Sequence, residues 1–326
     1  MTAARGRLPA GLVGTAFRPA RSDDLAECGR VWREALNDYL VRLNQSEVPD
    51  EPGPLGRLHG HTQATDPERF IVATQPAPGG ERIVAFGSAV VRGPIWFLSM
   101  LFVRPEAQGQ GLGRAILERL LPGPDRGGSL ATAIDSLQPI AMALYASYGL
   151  TARMPLLDLR GDVHRPEAFP PLPAGISVVP FESVAAGGSD GAGHRGLASA
   201  VDALDRDVLG TEHPEDHRFL RGEGRRGFLY RGPDGVTLGY GYAGEVGRVG
   251  PIAVSEESLL EPIVGHLIAA VPSRGARAVW TPGGATRLLP TLLAAGLRID
   301  GFPLMLCWDR PFADFARYVP ISPGLL

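Results

Sequence analysis

Lysine is absent from this chain: all 32 of its basic side chains are arginine. Without lysine there is no Walker A phosphate loop, no Schiff-base or pyridoxal-phosphate chemistry and no Ser-x-x-Lys acyl enzyme. Any anion bound here is held by arginine forks, backbone N–H groups or helix N-termini. Arginine in place of lysine throughout, beside abundant Ala, Gly and Pro, reflects the coding composition of a GC-rich genome rather than a functional need. Cysteine is scarce as well. Cys28 and Cys307 are too few for a disulfide framework and suit a reducing compartment. No apolar run is long enough to span a membrane, the longest strongly apolar one being Trp96 to Val103. The stretch from Met1 to Phe17 carries Arg5 and Arg7 but is broken by Pro9, Gly11 and Gly14, so it does not read as a signal peptide. The net charge of −3 offers no basic surface for a nucleic acid. These absences predict a soluble, cytoplasmic protein with neither a nucleic-acid nor a membrane partner.

What is present suffices for two packed domains: 326 residues, 44% of them hydrophobic. Phe17 to Pro19 reads as a strand, and Ser22-Asp-Asp24 as the start of a helix running through Leu25, Val31 and Leu36 to Leu40. Residues 45 to 69 are polar and Pro-rich and read as a loop. Strands are predicted at 70–73, 82–91 and 96–103, the last apolar on both faces and therefore central. A glycine-rich turn leads into a helix from Arg114 to about Leu121. A strand follows at 130–134, then a helix from Pro139 to Tyr148 with Gly149 as its stop, and a strand at 156–159.

The four prolines between Arg160 and Gly175 mark a boundary, beyond which the order of elements recurs. Strands are read at 176–181, 228–230, 236–242, 248–254 and 278–280. Helices are read at 197–209, 259–271 and 288–295, with a loose Gly-rich loop at 187–196.

The chemically informative feature is Gln108-Gly109-Gln110-Gly111-Leu112-Gly113, between an apolar strand and a helix. Glycines let the backbone turn sharply and approach a ligand, so that successive N–H groups point inward. The following helix adds its free N–H groups and positive dipole end. Such a nest fits a pyrophosphate, with Arg104 and Arg114 as supplements. The spacing is not that of a dinucleotide or kinase loop, which needs Gly-x-Gly-x-x-Gly.

Around that turn, the run Leu98-Ser-Met-Leu-Phe-Val-Arg-Pro-Glu-Ala-Gln-Gly-Gln-Gly-Leu-Gly-Arg114 resembles motif A of the GNAT superfamily of N-acetyltransferases. Pro139-Ile-Ala-Met-Ala-Leu-Tyr-Ala-Ser-Tyr-Gly-Leu150 resembles motif B, and Ile83-Val-Ala-Phe-Gly87 the family's hairpin strand before motif A. The resemblance implies an α+β fold of two tandem GNAT-like domains, each a mixed, mostly antiparallel central sheet flanked by helices. The first would span 15–160 and carry the acetyl-CoA site. A linker at 161–175, a degenerate second domain at 176–312 and a tail at 313–326 would follow.

It also implies that the main chain from Gln108 to Gly113, with Arg114 and Ala115, holds the cofactor pyrophosphate. Leu101, Phe102 and Val103 would expose backbone groups along which pantetheine lies as an added strand. Tyr145 would donate a proton to the departing thiolate. Gln138 stands where the family often has an asparagine, and Ser99 lies in the region of its frequent glutamate base. The base is therefore unassigned; Asp135, Asp66 and Glu68 are candidates whose ordinary role is capping or solvation.

Other constellations read as structural. His59-x-His61 falls in the polar loop with no third ligand, and His213-Pro-Glu-Asp-His217 reads as a well-started helix, so no metal is expected. In the second copy, Ser255-Glu-Glu-Ser258 replaces the glycine turn, and its carboxylates would repel a pyrophosphate. That domain would keep the fold without the cofactor, shaping the acceptor pocket or forming a homodimer surface. The expected function is acetyl-CoA-dependent N-acyl transfer to a small-molecule or peptide primary amine by direct attack. The alternatives are a non-catalytic acyl-CoA sensor or interaction module, and a mycothiol-synthase-like acetyltransferase.

Overall fold

The computed structural model describes residues 12–50, 53–123, 127–186 and 192–326. The first eleven residues, positions 51–52 and 124–126, and positions 187–191 of the expected Gly-rich loop lie outside the described residues. The chain divides into two compact units, one of Met1–Val91 with Trp96–Arg126 and one of Arg92–Ile95 with Gly127–Leu326.

The first unit is built from β1 (Ala16–Pro19), α1 (Leu25–Arg42), α2 (Gly53–Thr65), β2 (Phe70–Ala77), β3 (Gly80–Arg92), β4 (Ile95–Val103) and α3 (Leu112–Leu120). Its strands lie in the order β1-β2-β3-β4. The β1–β2 and β2–β3 pairs are antiparallel, from Ala16 opposite Thr74 and from Phe70 opposite Ser88. Alternation along the strands sends side chains to two faces. On one face Cys28 and Val31 of α1 close over Phe70, Val72, Ile83 and Phe86, with Met100 and Phe102 against them. On the other face α3 lies so close to β3 that a Cβ on Gly87 would stand 2.6 Å from Ile116 and 3.1 Å from Leu101. The Trp96 indole N–H donates to the Leu120 carbonyl at 2.9 Å and fixes the far end of α3.

The loop expected at 45–69 is in large part a helix, α2, followed by a short 3-10 turn at Pro67–Arg69. The helix contains Gly53, Gly56 and Gly60 and buries only His59 and Thr62. Its inward face is polar, so no apolar period advertises it, and its glycines argue against a helix on propensity alone.

The second unit contains β5 (Ser129–Asp135), α4 (Pro139–Ala146), β6 (Thr151–Gly161), β7 (Ser177–Pro180), α5 (Phe181–Ala186), α6 (Ala192–Leu209) and α7 (Pro214–Gly222). It continues with β8 (Arg226–Arg231), β9 (Thr237–Ala243), β10 (Arg248–Val254), α8 (Leu260–Ala270), β11 (Arg277–Pro282), α9 (Leu288–Ala295), β12 (Arg298–Ile299), β13 (Leu304–Trp308) and β14 (Tyr318–Val319). Its sheet runs β5-β13-β6-β11-β10-β9-β8-β7, with β12 also on β6 and β14 on β10. Only β10 and β11 pair in parallel among the registered pairs of this unit, so the sheet is mixed.

Gly239-Tyr-Gly-Tyr242 in β9 shows how the faces are assigned. The two glycines admit α8, whose Ile263 and Leu267 would meet added Cβ atoms at 2.9 and 2.6 Å. The two tyrosines are fully buried on the opposite side, beside His217 of α7.

The α+β class with a mixed sheet and flanking helices agrees with expectation, but the strands do not sort into two separate sheets at 161–175. β13, from the stretch assigned to the second copy, lies between β5 and β6 of the first, pairing Leu304 with both Asp135 and Leu156. β6 in turn pairs with β11, from Arg277 opposite Gly161 to Pro282 opposite Leu156. A strand's hydrogen-bonding groups are the same whatever its side chains, so its partner is chosen by long-range packing that local sequence does not record.

Candidate functional site

The glycine turn lies in the first unit, and its geometry follows from its residues. Arg104 leaves β4 with its N–H on the Val84 carbonyl at 2.9 Å, and Pro105–Ala107 make a single 3-10 turn. Gly109 and Gly111 then take φ of +73° and +87°, a conformation in which a Cβ is strained. Gly111 is the N-cap of α3, and the first helical bond runs from the Ala115 N–H to the Gly111 carbonyl at 3.0 Å. Two side chains brace the loop from outside: Gln108 donates to the Val103 carbonyl at 3.0 Å and Gln110 to the Glu106 carbonyl at 3.1 Å.

Among the described residues, no hydrogen-bond acceptor faces the main-chain N–H groups of Gly109, Gln110, Gly111, Leu112 and Gly113. An added Cβ at Gly109 would meet nothing within 4 Å. Consecutive free N–H groups, a positive helix end and open space above them constitute an anion cradle.

Arg104, expected to supplement that cradle, does not. Its guanidinium is buried under the sheet, donating to the Ile83 carbonyl at 2.8 Å and pairing with Glu27 and Glu34 of α1. It ties β4 to α1 instead. Arg114 is exposed in the first turn of α3, and Ala115 is buried behind the loop.

Leu101, Phe102 and Val103 are half-buried at the end of β4. Phe102 stacks on Phe86 at 5.9 Å and Leu101 points to the α3 side, so side chains anchor this segment through both faces.

The residues of the second motif lie in the second unit. Gln138 is the N-cap of α4 and its N–H donates to the Asp135 carbonyl at 3.0 Å. Pro139 occupies the first turn of α4, and Gly149 ends the segment at φ +88°, as the sequence pattern predicts. Tyr145 is buried, 6% exposed, and burial pushes its phenol well above the usual range. Nothing among the described residues hydrogen-bonds its hydroxyl.

The candidate bases are engaged elsewhere. Asp66 is buried and accepts from the Val91 N–H at 3.0 Å and the Thr65 hydroxyl at 2.9 Å. Asp135 accepts from the Leu137 N–H at 2.9 Å, and Glu68 lies 3.5 Å from Arg69 on the surface. Ser99 is buried at 8% exposure in β4.

The Acetyltransferase (GNAT) family model matches residues 32–150, a span that holds the cradle and Tyr145. The solved structures extend the likeness to nearly the whole chain. A Pyrococcus horikoshii protein described as an acetyltransferase superposes with a TM-score of 0.71 at 14% identity, covering 96% of each chain. This chain has the GNAT acetyltransferase fold. A GCN5-related N-acetyltransferase from Sphaerobacter thermophilus matches at 17% identity and TM-score 0.58, over 95% of this chain and all (100%) of that one. A tandem GNAT protein from the clavulanic acid biosynthesis pathway matches at 19% identity and TM-score 0.54, over 91% of this chain and 99% of that one. Comparison with curated proteins finds no match.

In the second unit a strand-to-helix step runs from β10 to α8. β10 pairs with β11 only through Arg248 opposite Ala278 and Val249 opposite Val279. Beyond that point the chain terminus takes the edge: β14 sets Val319 opposite Ile252 and Tyr318 opposite Ala253, and the Val254 N–H donates to the Arg317 carbonyl at 3.1 Å. Val319 is buried there, and Leu325 and Leu326 are buried as well. The segment after β10 contains no glycine; Glu256 caps a 3-10 turn at Glu257–Leu259 that leads into α8.

Two histidine readings change. His59 is not in a solvated loop but buried in α2, edge-on to Phe70 and Phe86 at 5.6 and 5.3 Å. Burial brings its pKa down to about 4. His213 and His217 do begin a helix, with Pro214 in its first turn, but both are buried in a cluster with Asp205. Their i, i+4 spacing was the only sign of it in the sequence.

Proposed function

We propose that this chain is an acetyl-CoA-dependent N-acyltransferase acting on a primary amine by direct transfer. The observation that carries the reading is the row of five acceptor-free N–H groups from Gly109 to Gly113 at the start of α3. With Arg114 and Ala115 they would bind the cofactor's pyrophosphate, which needs inward N–H donors and no lysine. Acetyl-CoA supplies the activated thioester when bound. Leu101, Phe102 and Val103, anchored by their side chains, would offer backbone groups to pantetheine and one N–H to the thioester carbonyl. Gln138 would add a further polar contact.

Tyr145 would hold the proton for the leaving thiolate. Burial raises its pKa and keeps it protonated throughout the neutral range, so the proton is in place when the thiolate forms. In the second unit the edge taken by β14, and Glu256 and Glu257 in place of glycines, argue for a GNAT copy with no cofactor role.

The test combines binding with turnover. Acetyl-CoA should raise the melting temperature, and free thiol should appear when a panel of amines, aminoglycosides and peptide N-termini is screened. Gly111→Val should abolish both, because its φ of +87° strains any β-branched residue and displaces the cradle. Tyr145→Phe should retain cofactor affinity and lose turnover by about 10²-fold or more, the ordinary range for a general acid. Absence of any thermal shift with CoA esters would overturn the proposal.

One observation favours a second reading, a non-catalytic acyl-CoA-binding module: Asp66, Asp135 and Glu68 are each already engaged by hydrogen bonds or ion pairs. Thermal stabilisation by acetyl-CoA with no thiol release from any amine would decide for it.

A further inference from the structure

Asp205, His213 and His217 bring three metal-ligating atoms within 4.8 Å of one another in the core of the second unit. Asp205 comes from the last turns of α6, His213 caps α7, and His217 follows one turn later on the same helix face. The Asp205 Oδ2 atom lies 2.8 Å from the His217 Nε2 and 3.4 Å from the His213 Nε2. Metal–ligand bonds of about 2.0–2.2 Å in a tetrahedron place neighbouring donors about 3.3 Å apart; the Asp205–His213 separation matches, and the Asp205–His217 pair, hydrogen-bonded at 2.8 Å, would open by about half an ångström to admit an ion.

Polar groups stand behind each of these side chains, as second-shell groups orient the ligands of a metal. Tyr240 donates its hydroxyl hydrogen to Asp205 Oδ1 at 2.6 Å, so Oδ2, which meets the His217 Nε2 at 2.8 Å, is the atom turned to the two imidazoles. The His217 Nδ1 meets the Tyr242 hydroxyl at 3.0 Å, directing Nε2 inward. The His213 Nδ1 faces Asp216 Oδ2 at 3.3 Å, and Arg92 clamps Asp216 with two bonds of 2.8 Å. The side chains of Asp205, His213 and His217 are 0%, 2% and 3% exposed, and both ring nitrogens of His213 lie outside hydrogen-bond geometry. A buried imidazole without bonded nitrogens is costly unless something occupies the space between it and its neighbours.

We propose that Asp205, His213 and His217 form a structural site for a divalent transition metal, with zinc as the ion that two imidazoles and a carboxylate suit best. The proposal is independent of any acetyl-CoA chemistry. Closed off from solvent, the site would be filled during folding, so the metal's binding energy would be part of the unit's stability. The competing arrangement has no metal: His213 would carry a proton between Asp205 and Asp216, and Arg92 would complete the neutralisation.

The full-length chain is refolded once with excess zinc and once with a chelator, desalted, and assayed for metal by mass spectrometry. The expected result is about one zinc per chain after zinc refolding, retained against chelator in the folded state, with a higher melting temperature than the chelated sample. Refolding with cobalt should yield the intense visible bands of a tetrahedral site. Asp205→Asn and His217→Gln should drop the metal to background, whereas His266→Gln, outside the cluster, should not. Because the cluster variants can also fail to fold, the wild-type measurement stands alone. Folded wild-type protein with only background zinc and colourless with cobalt overturns the proposal, as does unchanged stoichiometry in folded Asp205→Asn.

Discussion

At the scale of single residues, burial rather than residue type decides what a polar side chain does. His59 is held neutral by burial against Phe70 and Phe86, with its pKa at about 4 against an ordinary 6.5. The unfolded chain therefore takes up a proton below pH 6.5 that the folded chain refuses until about pH 4. Stability is unaffected by this group above pH 6.5, falls as the pH drops through that window, and levels off below it, for a loss of about 3 kcal/mol. Chemical denaturation of wild type and His59→Leu at pH 7 and pH 4.5 should show a smaller acid loss in the variant. An equal loss in both would place the acid sensitivity elsewhere.

Gly87 illustrates the opposite constraint, of space rather than charge. An added Cβ stands 2.6 Å from Ile116, so Gly87→Val should push α3 off the sheet and cost about 1–3 kcal/mol, read as a lowered denaturation midpoint. Because α3 presents the cradle at its N-terminus, the same variant should also weaken CoA-dependent stabilisation.

Among the elements, β14 contributes only two residues yet settles an edge. It satisfies the β10 edge past Val249 and buries Tyr318 and Val319. Ending the chain before Arg317 would uncover the backbone groups of Ile252 to Val254 and the apolar surface beneath Val319. A lower melting temperature and increased binding of a hydrophobic dye are expected. The truncated chain should gain no second CoA site, because Glu256 and Glu257, at the turn between β10 and α8, would repel a pyrophosphate. Two equivalents of bound acetyl-CoA in the truncated protein would contradict that assignment.

At the scale of the whole chain, the sheet of the second unit makes the two halves of the sequence mutually dependent. β5 and β6 are both paired to β13, more than 140 residues later in the chain (304 against 161). A fragment of residues 1–160 would leave those strands with open edges, a template for aggregation. It should be insoluble or dye-binding when expressed alone. Co-expression with residues 161–326 should restore a soluble complex of the two pieces. A well-folded, monomeric 1–160 fragment would show that β13 is dispensable. Among the described residues no helix is long and apolar enough to cross a membrane.

Legibility in the sequence followed the range of the interaction. The strand-turn-helix of β4 and α3, the glycine positions at 109 and 111, and the Pro139 start and Gly149 stop of the motif-B segment are set by neighbours a few residues away. Their side-chain alternation and backbone freedom appear directly in the string of residues. α2 was invisible because its buried face is a histidine and a threonine, and β13 because nothing local marks which strands it joins.

The absence of lysine, the glycine cradle and the α+β class were determined by sequence alone, since each depends on residue type or local conformation. Only the tertiary structure decided that Arg104 serves α1 instead of a phosphate, that the terminus covers β10, and that His213 and His217 meet Asp205. Backbone donors and acceptors are identical in every strand, and a side chain's charge and partners depend on burial, which is produced by residues far away in the chain.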